Sequence, residues 1–273
     1  MPLKEVHPPY VVAALRSVLE QTRTDWRLLI VIDAENSGRL GPLLAPHLQD
    51  QRMQLIENET VKLAGSINTG MRAATTDFAA LLFGDDGWAP NAVETLAKYV
   101  VEFPSVDFFH SSRLIVDDDG VLISSVHHAP SAVAAEDFRR GSPVKHLLCW
   151  RVETALAVGG VDETIGDTGP DDWDFPWTMA EHGAEFMAID EPLYFYRDHR
   201  AGPRITTDLT RNQHAENIRG ILRKHGVPER EIARTLARAR SGYLRQSRYR
   251  SSVDRRVRNW LRLPPRSWRE SYK

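Results

Sequence analysis

The chain has 273 residues, a net charge of -2 and a single cysteine, Cys149. It is long enough to bury one large core, and it carries neither a disulfide framework nor a cysteine metal site. The hydrophobic fraction of 42% and charged fraction of 26% are typical of globular proteins, and the near-neutral charge predicts no general affinity for nucleic acid. The longest apolar runs are far below the roughly 18 residues that span a bilayer. With no signal-peptide pattern and one cysteine, we expect a cytoplasmic protein.

Helices and strands alternate along the first hundred residues. Apolar spacing predicts helices around 11–19, 64–74 and 90–101 and buried strands at 28–32, 53–56 and 78–83. Segments of these lengths in this alternation predict an α/β sheet with helices on both faces.

The pattern after residue 105 is mixed. We expect extended segments at 106–110, 113–116, 185–189 and 193–196, a hairpin turn at 117–120 leading into 121–124, and a helix over 151–158. Gly159 and Gly160 end that helix. From residue 211 onward the spacing predicts helices again.

Two carboxylates follow the strand predicted at 78–83. Asp85 and Asp86 stand where a buried strand of an α/β sheet opens into a ligand crevice. Adjacent carboxylates repel unless a cation lies near them, and oxygen ligands favour Mg²⁺ or Mn²⁺ holding a diphosphate. A plain acidic turn explains the same residues, so the pair alone leaves both interpretations open.

A second acidic cluster comprises Asp171, Asp172 and Asp174. Carboxylates at a helix N-terminus complement the helix dipole, so a structural role explains the cluster as well as catalysis does. The neighbouring Trp173 favours a sugar pocket beside a proton-accepting carboxylate, although core packing explains a tryptophan equally well. His199 is a lone histidine after a strand, and such residues are more often incidental than metal ligands.

Other catalytic motifs are missing from the sequence. It contains no G-x-S-x-G elbow, Walker loop, dinucleotide fingerprint or zinc-spaced histidine pair. Nucleophilic and redox chemistry therefore has little support.

The order of the segments resembles the inverting family 2 glycosyltransferases, which have the GT-A fold, over roughly residues 8–200. The matching stretches, in chain order, are Ser17–Thr22, Leu29–Asp33, Asn68–Gly70, Phe83–Asp86, Gly159–Glu163, Asp171–Asp172 and Tyr196–His199. The resemblance implies a GT-A domain over 1–205, with a nucleotide-binding part at about 1–105 and an acceptor part at about 106–205. A helical basic extension would cover 206–273.

The resemblance also implies a role for each matched site residue. Asp172 would be the catalytic base, deprotonating an acceptor hydroxyl in a single in-line displacement, while a divalent cation, Mn²⁺ or Mg²⁺, neutralises the leaving nucleoside diphosphate. The donor would be a UDP-, GDP- or dTDP-sugar, and the acceptor a glycan, a lipid-linked or a small molecule. The remaining residues would bind the donor (Asp33, Asn68, Asp85, Asp86), face the acceptor (Asp171, Trp173, Gly160) or hold the cation (Asp86, His199).

Three departures from the family pattern are visible. Ile67 stands where arginine is usual, so one donor-phosphate or base contact is either missing or supplied by Lys62 or Arg72. Asp171 replaces a glutamate and shortens the carboxylate arm. The usual first strand of the mixed, mostly parallel sheet has no counterpart. We favour a start that is truncated or misassigned; residues 1–7 or another segment filling the gap, or a reorganised sheet, are the alternatives.

The C-terminal stretch 241–273 holds nine arginines and one lysine against Asp254 and Glu270. Basic and bulky apolar residues alternate there, which suits either an interfacial helix on anionic lipid or a solvated helix. Peripheral membrane contact and a homo-oligomer stay open at this point, and the richness in arginine and alanine favours a bacterial source. Two other functions stay open too: a retaining GT-A transferase, and a catalytically silent GT-A-like protein that binds a nucleotide or a partner.

Overall fold

A computed structural model describes residues 1–4, 7–60, 62–165, 171–198 and 210–250, without the side chains of residue 211 and residues 240–250. Its contacts divide the chain into two compact units, Met1–Arg204 and Ile205–Lys273. Within the ranges described, no helix has both the length and the apolar character that crossing a membrane requires.

The first unit opens with a three-stranded parallel sheet in the order β1-β2-β3. The strands are β1 (Pro2–Leu3), β2 (Leu28–Ile32) and β3 (Met53–Glu57), and the helices around them are α1 (Pro8–Leu19), α2 (Ser37–Leu44) and α3 (Lys62–Ala73). β2 is a continuous apolar run because parallel strands under helices are buried on both faces.

The prediction that the first strand is absent is wrong. Pro2 and Leu3 pair in parallel with Val31 and Ile32, and the Val31 N–H donates to the Met1 carbonyl at 3.0 Å. Two residues are too few to show an apolar period, so backbone pairing with β2 defines this strand where the sequence pattern does not.

The second sheet of this unit has five strands in the order β4-β7-β6-β8-β5. They are β4 (Phe78–Leu81), β5 (Gly87–Trp88), β6 (Phe108–Val116), β7 (Leu148–Arg151) and β8 (Phe186–Arg197), accompanied by α4 (Ala92–Glu102), α5 (Val152–Ala157) and α6 (Asp171–Glu181). Only β6 and β8 run parallel, so the sheet is mixed and the expected parallel majority holds only for the first sheet.

β6 and β8 are each one long strand where the sequence predicted two short ones. The pairing between them shifts register at Ser111–Arg113, opposite Pro192, which cannot donate to the ladder. The sequence did not predict β7, because four residues directly before a helix are too few to show the alternation of a strand. Antiparallel pairing with both β4 and β6 keeps this segment extended.

The predicted hairpin after β6 is present as a tight turn with short pairing. Asp117 Oδ1 accepts from the backbone N–H of Asp119 and Val121 at 3.0 and 2.9 Å, and Gly120 takes φ +81°. A left-handed residue at this position suits glycine, which has no Cβ to clash. The returning segment bridges Val116 at Leu122.

The core of the first unit lies between its helices and both sheets. Its buried members come from α1, β2, α2, β6, β7 and β8, and they include Val11, Leu15, Ile30, Leu44, Phe109, Leu147, Ile189 and Tyr194. These side chains are almost wholly excluded from water, and burial of apolar surface at roughly 25 cal/mol per Å² is the main stabilising contribution to this unit.

The described part of the second unit, residues 210–250, contains α7 (Arg211–Lys224) and α8 (Glu229–Arg250). Thr210 caps α7, its hydroxyl oxygen accepting from the Gln213 N–H at 3.3 Å. An apolar strip holds the pair together, comprising Ile218, Ile221, Leu222, Val227 and Ile232. The interfacial character predicted for 241–273 depends on side chains outside the described part of the chain and stays a prediction.

His110, in the middle of β6, predicts an acid-side loss of stability. Its side chain is 1% exposed, both ring nitrogens lack hydrogen-bond partners among the described residues, and burial together with the charge of Lys145 lowers its pKa to about 4. The unfolded chain binds this proton below about pH 6.5, so stability falls as the pH drops from 6.5 towards 4. The predicted loss from this residue is up to about 3 kcal/mol.

Urea unfolding of His110→Leu between pH 7 and pH 4 checks this. We expect a clearly smaller acid-side loss than in the unchanged chain, with a remainder because burial also lowers the pKa of His146 to about 4. His182→Leu, at an exposed position in the same unit, is the control. Equal acid sensitivity in all three proteins would contradict a buried neutral His110.

Candidate active site

The acidic pair lies at the C-terminal end of β4. That strand ends at Leu81, and the chain turns through Gly84 and Asp85 before β5 begins at Gly87. The Asp86 N–H donates to the Phe83 carbonyl at 3.3 Å and closes the turn. The turn therefore places two consecutive carboxylates where a strand of an α/β sheet opens towards a ligand.

Asp86 is buried, with 3% of its surface exposed. The Tyr194 hydroxyl donates to its Oδ2 at 2.7 Å, and the Arg197 backbone N–H donates to its Oδ1 at 2.7 Å. Burial, and then the charge of Asp85, raise the pKa of Asp86 to about 8. One accepted bond per oxygen leaves a lone pair on each oxygen for a further ligand.

Arg197 connects the acidic turn to two other elements. Its Nε donates to the Asp85 carbonyl at 2.9 Å, and its Nη1 donates to the carbonyls of Asp117 and Asp118 at 2.9 and 3.1 Å. The guanidinium also lies 4.8 Å from the ring of Tyr10 on α1. These contacts fix the acidic turn against the hairpin turn at 117–120.

The acidic pair fits a divalent cation on the chemistry of its oxygens. Asp86 is a buried carboxylate whose pKa is raised because its charge is poorly compensated, and Asp85 adds a second hard oxygen ligand. No group of three or more histidine, cysteine, aspartate or glutamate side chains within the described ranges is placed to hold a metal. His199, predicted as a further ligand, lies outside those ranges.

The second acidic cluster forms the first turn of α6. Ser142 Oγ donates to the Asp172 carbonyl at 2.9 Å, and the Asp172 carboxylate is half-buried. Asp171 is 7% exposed, and its Oδ1 has no hydrogen-bond partner in the described part of the chain. Burial, followed by the charges of Asp172 and Asp174, raises the pKa of Asp171 to about 8. Asp171 is thus mainly protonated at pH 7 and adds little negative charge beside Asp172.

His146 lies between the two acidic sites. Its ring centroid is 5.4 Å from that of Tyr194 and 5.5 Å from that of Phe83. Burial lowers its pKa to about 4, while the charges of Asp172 and Asp85 act in the opposite direction. Phe83 stands two residues before Asp85, and Ser142, four residues before His146, donates to the Asp172 carbonyl, so the fold brings the end of β4 and the start of α6 into one neighbourhood.

Asp33, predicted to contact the donor, stands at the end of β2. Its Oδ1 accepts from Asn58 Nδ2 at 2.8 Å. Asn58 Oδ1 in turn accepts from the Thr69 hydroxyl at 3.1 Å, and the Asn58 N–H donates to the Ile32 carbonyl at 2.8 Å. Asn58 therefore joins the ends of β2 and β3 to α3, a role that no motif in the sequence indicated.

Asn68 is also predicted to contact the donor, but its side-chain amide already forms hydrogen bonds with other residues of the protein. Its Nδ2 donates to the Val161 carbonyl and to Glu163 Oε1, both at 2.8 Å, and its Oδ1 accepts from the Val161 N–H at 2.8 Å. Both amide hydrogens are used, so a bond from them to a ligand would require one of these to break. The geometry supports Asn68 as the residue that fixes the 159–163 loop against α3.

The two residues proposed to replace the missing arginine contact differ in placement. Ile67 itself is buried at 6% exposure. Arg72 Nε donates to Glu59 Oε2 at 2.9 Å on an exposed part of the surface, so its guanidinium is already paired. Lys62 begins α3.

Gly160 provides a sharp test of the Asn68 contact. Gly159 and Gly160 both have positive φ, +92° and +71°. A Cβ added at Gly160 would lie 2.4 Å from Asn68 Oδ1, whereas a Cβ added at Gly159 would have no atom within 4 Å. We expect Gly160→Ala to cost about 3 kcal/mol of unfolding free energy and Gly159→Ala about 1 kcal/mol, because only the former adds a buried clash to the backbone strain. Urea unfolding measures both, and equal losses would contradict the predicted contact.

Trp173 is a core residue, in contrast to the prediction that it faces the acceptor. It is 6% exposed, its Nε1 donates to the Phe138 carbonyl at 2.8 Å, and its ring stacks on Trp177 at 6.2 Å. The indole N–H already has a hydrogen-bond acceptor within the protein. The two tryptophans therefore pack α6 against the core instead of lining a sugar pocket.

The family model for glycosyl transferase family 2 matches residues 1–152, more than half of the chain and the part that carries β1 to β7 and the acidic turn. The chain belongs to glycosyl transferase family 2. The recognition of this family from the motifs is confirmed.

The O-antigen biosynthesis protein RfbC of Myxococcus xanthus is 27% identical to this chain over 202 residues, which are 72% of this chain and 15% of that protein. The chain therefore spans a small part of that relative.

Solved structures confirm the GT-A fold. TarS 1-349 of S. aureus in complex with UDP-GlcNAc aligns with a TM-score of 0.62 at 14% identity, over 90% of this chain and 71% of that chain. The mannosyltransferase PcManGT of Pyrobaculum calidifontis, in complex with GDP-Man and Mn²⁺, aligns with a TM-score of 0.57 at 18% identity, over 86% and 66%. At these identities the likeness concerns the fold.

Proposed function

We propose that this family 2 glycosyltransferase transfers a sugar from a nucleoside-diphosphate sugar to an acceptor hydroxyl by one inverting displacement, with Asp172 as the base. Two fold neighbours were solved with UDP-GlcNAc and with GDP-Man, which supports a donor of this class.

The observation that carries the proposal is the shared neighbourhood of two carboxylate sites. His146 packs against Phe83, two residues before Asp85, and Ser142, four residues before His146, donates to the Asp172 carbonyl, although Asp85 and Asp172 are more than eighty residues apart in sequence. An inverting displacement needs a base on one side of the anomeric carbon and a binding site for the leaving diphosphate on the other. The end of β4 and the first turn of α6 supply candidates for both.

Asp86, with Asp85, would hold a divalent cation at the diphosphate. Such an ion, when bound, supplies charge neutralisation for the leaving nucleoside diphosphate. Tyr194 and the Arg197 N–H keep the Asp86 carboxylate in one orientation, and the Arg197 side chain fixes the backbone of Asp85. Asp33, at the end of β2 and oriented by Asn58, would contact the nucleoside.

Asp172 would take the proton of the acceptor hydroxyl. It lies in the first turn of α6, where the helix dipole favours a negative carboxylate, and it is half-buried, so an acceptor can reach it. The Ser142 bond to its carbonyl fixes the backbone, and burial raises the pKa of Asp171 to about 8, which disfavours a second negative charge beside the base.

Titration of the purified chain with UDP, GDP and dTDP, each with and without Mn²⁺, tests the donor site. We expect one nucleotide to bind, and to bind at least about tenfold more tightly with Mn²⁺. Two carboxylates repel a diphosphate unless a cation lies between them. Failure of all three nucleotides to bind under either condition would contradict the proposed donor class.

A further inference from the structure

Two cationic side chains, Arg113 and Lys145, lie together beside the candidate site. β6 and β7 stay paired as far as Ser111, whose N–H donates to the Leu147 carbonyl at 3.1 Å. One step further along β6, Arg113 exchanges backbone hydrogen bonds of 3.1 and 2.8 Å with His127, so the 142–147 segment leaves the sheet there.

The other end of that segment is attached to the first turn of α6, because Ser142 Oγ donates to the Asp172 carbonyl at 2.9 Å. Lys145 thus lies between an anchor at the start of α6 and an anchor on β6. His146, the next residue, packs against Tyr194, which in turn holds Asp86. The segment therefore borders both the base and the acidic turn.

Neither cation forms a close ion pair with a described residue, although the charge of Asp172 acts on Lys145 and the charge of Arg113 acts on Asp86. The Arg113 guanidinium lies 4.9 Å from the centre of the Tyr196 ring, and its buried Nε has no hydrogen-bond partner there. Lys145 is half-buried and forms no recorded ion pair or hydrogen bond with a described residue. Burial, and then the positive charge of Arg113, lower the pKa of Lys145, as expected for like charges held close together.

His146 adds a buried polar group to the same place. It is 5% exposed, and its Nε2 has no hydrogen-bond partner in the described part of the chain. Two like charges and an unsatisfied buried nitrogen each cost free energy, and an oxyanion would relieve all three at once. Arg113 is well suited to such a ligand because its guanidinium offers parallel N–H donors.

We propose that Arg113, Lys145 and His146 form an anion subsite for the acceptor, and that the acceptor carries a phosphate or carboxylate close to the hydroxyl that Asp172 deprotonates. This inference rests on the proposed function. The acceptor is favoured over the donor because the segment is anchored to Asp172 itself, and because Asp172 is the carboxylate whose charge acts on Lys145.

The test titrates methyl phosphate and, separately, sodium acetate into the full chain saturated with Mn²⁺ and the nucleoside diphosphate that binds, at constant ionic strength. We expect at least one anion to bind together with the nucleotide, and Lys145→Gln and Arg113→Gln each to weaken its affinity about tenfold. Lys98→Gln, at an exposed position on α4, is the matched control and should bind as the unchanged chain does. Lys145→Arg should retain most of the affinity, which excludes a folding defect as the cause.

Three results would overturn the inference. The first is that neither anion binds, and the second is that Lys145→Gln binds the anion as Lys98→Gln does. The third is that methyl phosphate competes with the nucleotide and Lys145→Gln weakens the nucleotide instead, because the cluster then serves the donor diphosphate. If no nucleotide binds, the proposed function fails separately, and the same titrations without nucleotide still show whether Arg113 and Lys145 bind an oxyanion.

Discussion

Replacing Asp172 with asparagine should lower the turnover of the enzyme by about a thousandfold, with nucleotide affinity unchanged. An amide cannot accept the proton of the acceptor, and general-base catalysis typically contributes a factor of 10² to 10⁴. Asparagine keeps the size of the side chain and leaves the backbone carbonyl available to Ser142, so α6 should begin as before. Steady-state nucleoside diphosphate release measures turnover, and a binding titration measures affinity.

Glu181→Gln is the matched control for this variant. It removes one carboxylate from the last turn of the same helix, at an exposed position. It should leave turnover within about twofold, as expected for a surface charge away from the reacting atoms. A loss below tenfold in Asp172→Asn, or an equal loss in both variants, would remove Asp172 from the role of base.

The second large effect concerns Asp86. Asp86→Asn should weaken the Mn²⁺-dependent part of nucleotide binding by about a hundredfold, because an uncharged amide is a poor ligand for a hard cation. Its effect on folding should be small. The amide can accept only through its oxygen, which costs one of the bonds from Tyr194 and Arg197, but burial raises the pKa of Asp86 to about 8, so the site already favours a neutral side chain when no cation is bound.

Thermal unfolding and calorimetric titration separate the two consequences. Asp77→Asn, an exposed position at the start of β4, is the control and should change neither. If Asp86→Asn unfolds far below the unchanged chain and its nucleotide affinity falls equally with and without Mn²⁺, Asp86 is a structural residue and the cation assignment is wrong.

The fold could be predicted where the sequence is periodic. β2 and β4 are apolar runs bounded by polar turns, and α1 and α4 show a single buried face, so each was predicted close to where it lies. β1 and β7 could not be predicted in the same way. They have two and four residues and are defined by pairing with strands distant in sequence, which is a tertiary property.

The site could be predicted only in part, for a similar reason. Motif order predicts Asp86 and Asp172 as site residues, but it could not show that the partners of Asp86 are Tyr194 and the backbone of Arg197, more than a hundred residues away. Motifs also could not show that the Asn68 amide group donates to the Val161 carbonyl, or that the Trp173 side chain is buried in the core. Lys145 belongs to no motif. Its position beside Arg113 depends on the 142–147 segment, which lies outside the sheet directly before β7.

The most direct measurement of the central claim is the anomeric configuration of the sugar released from its donor. The chain with Mn²⁺ is incubated with UDP-, GDP- and dTDP-sugars, with water as the acceptor, and the product is followed by NMR before it mutarotates. One donor should release its nucleoside diphosphate together with a sugar of inverted configuration, and Asp172→Asn should slow that release. Release of a sugar with retained configuration, or hydrolysis of none of the donors, would contradict an inverting transferase with Asp172 as its base.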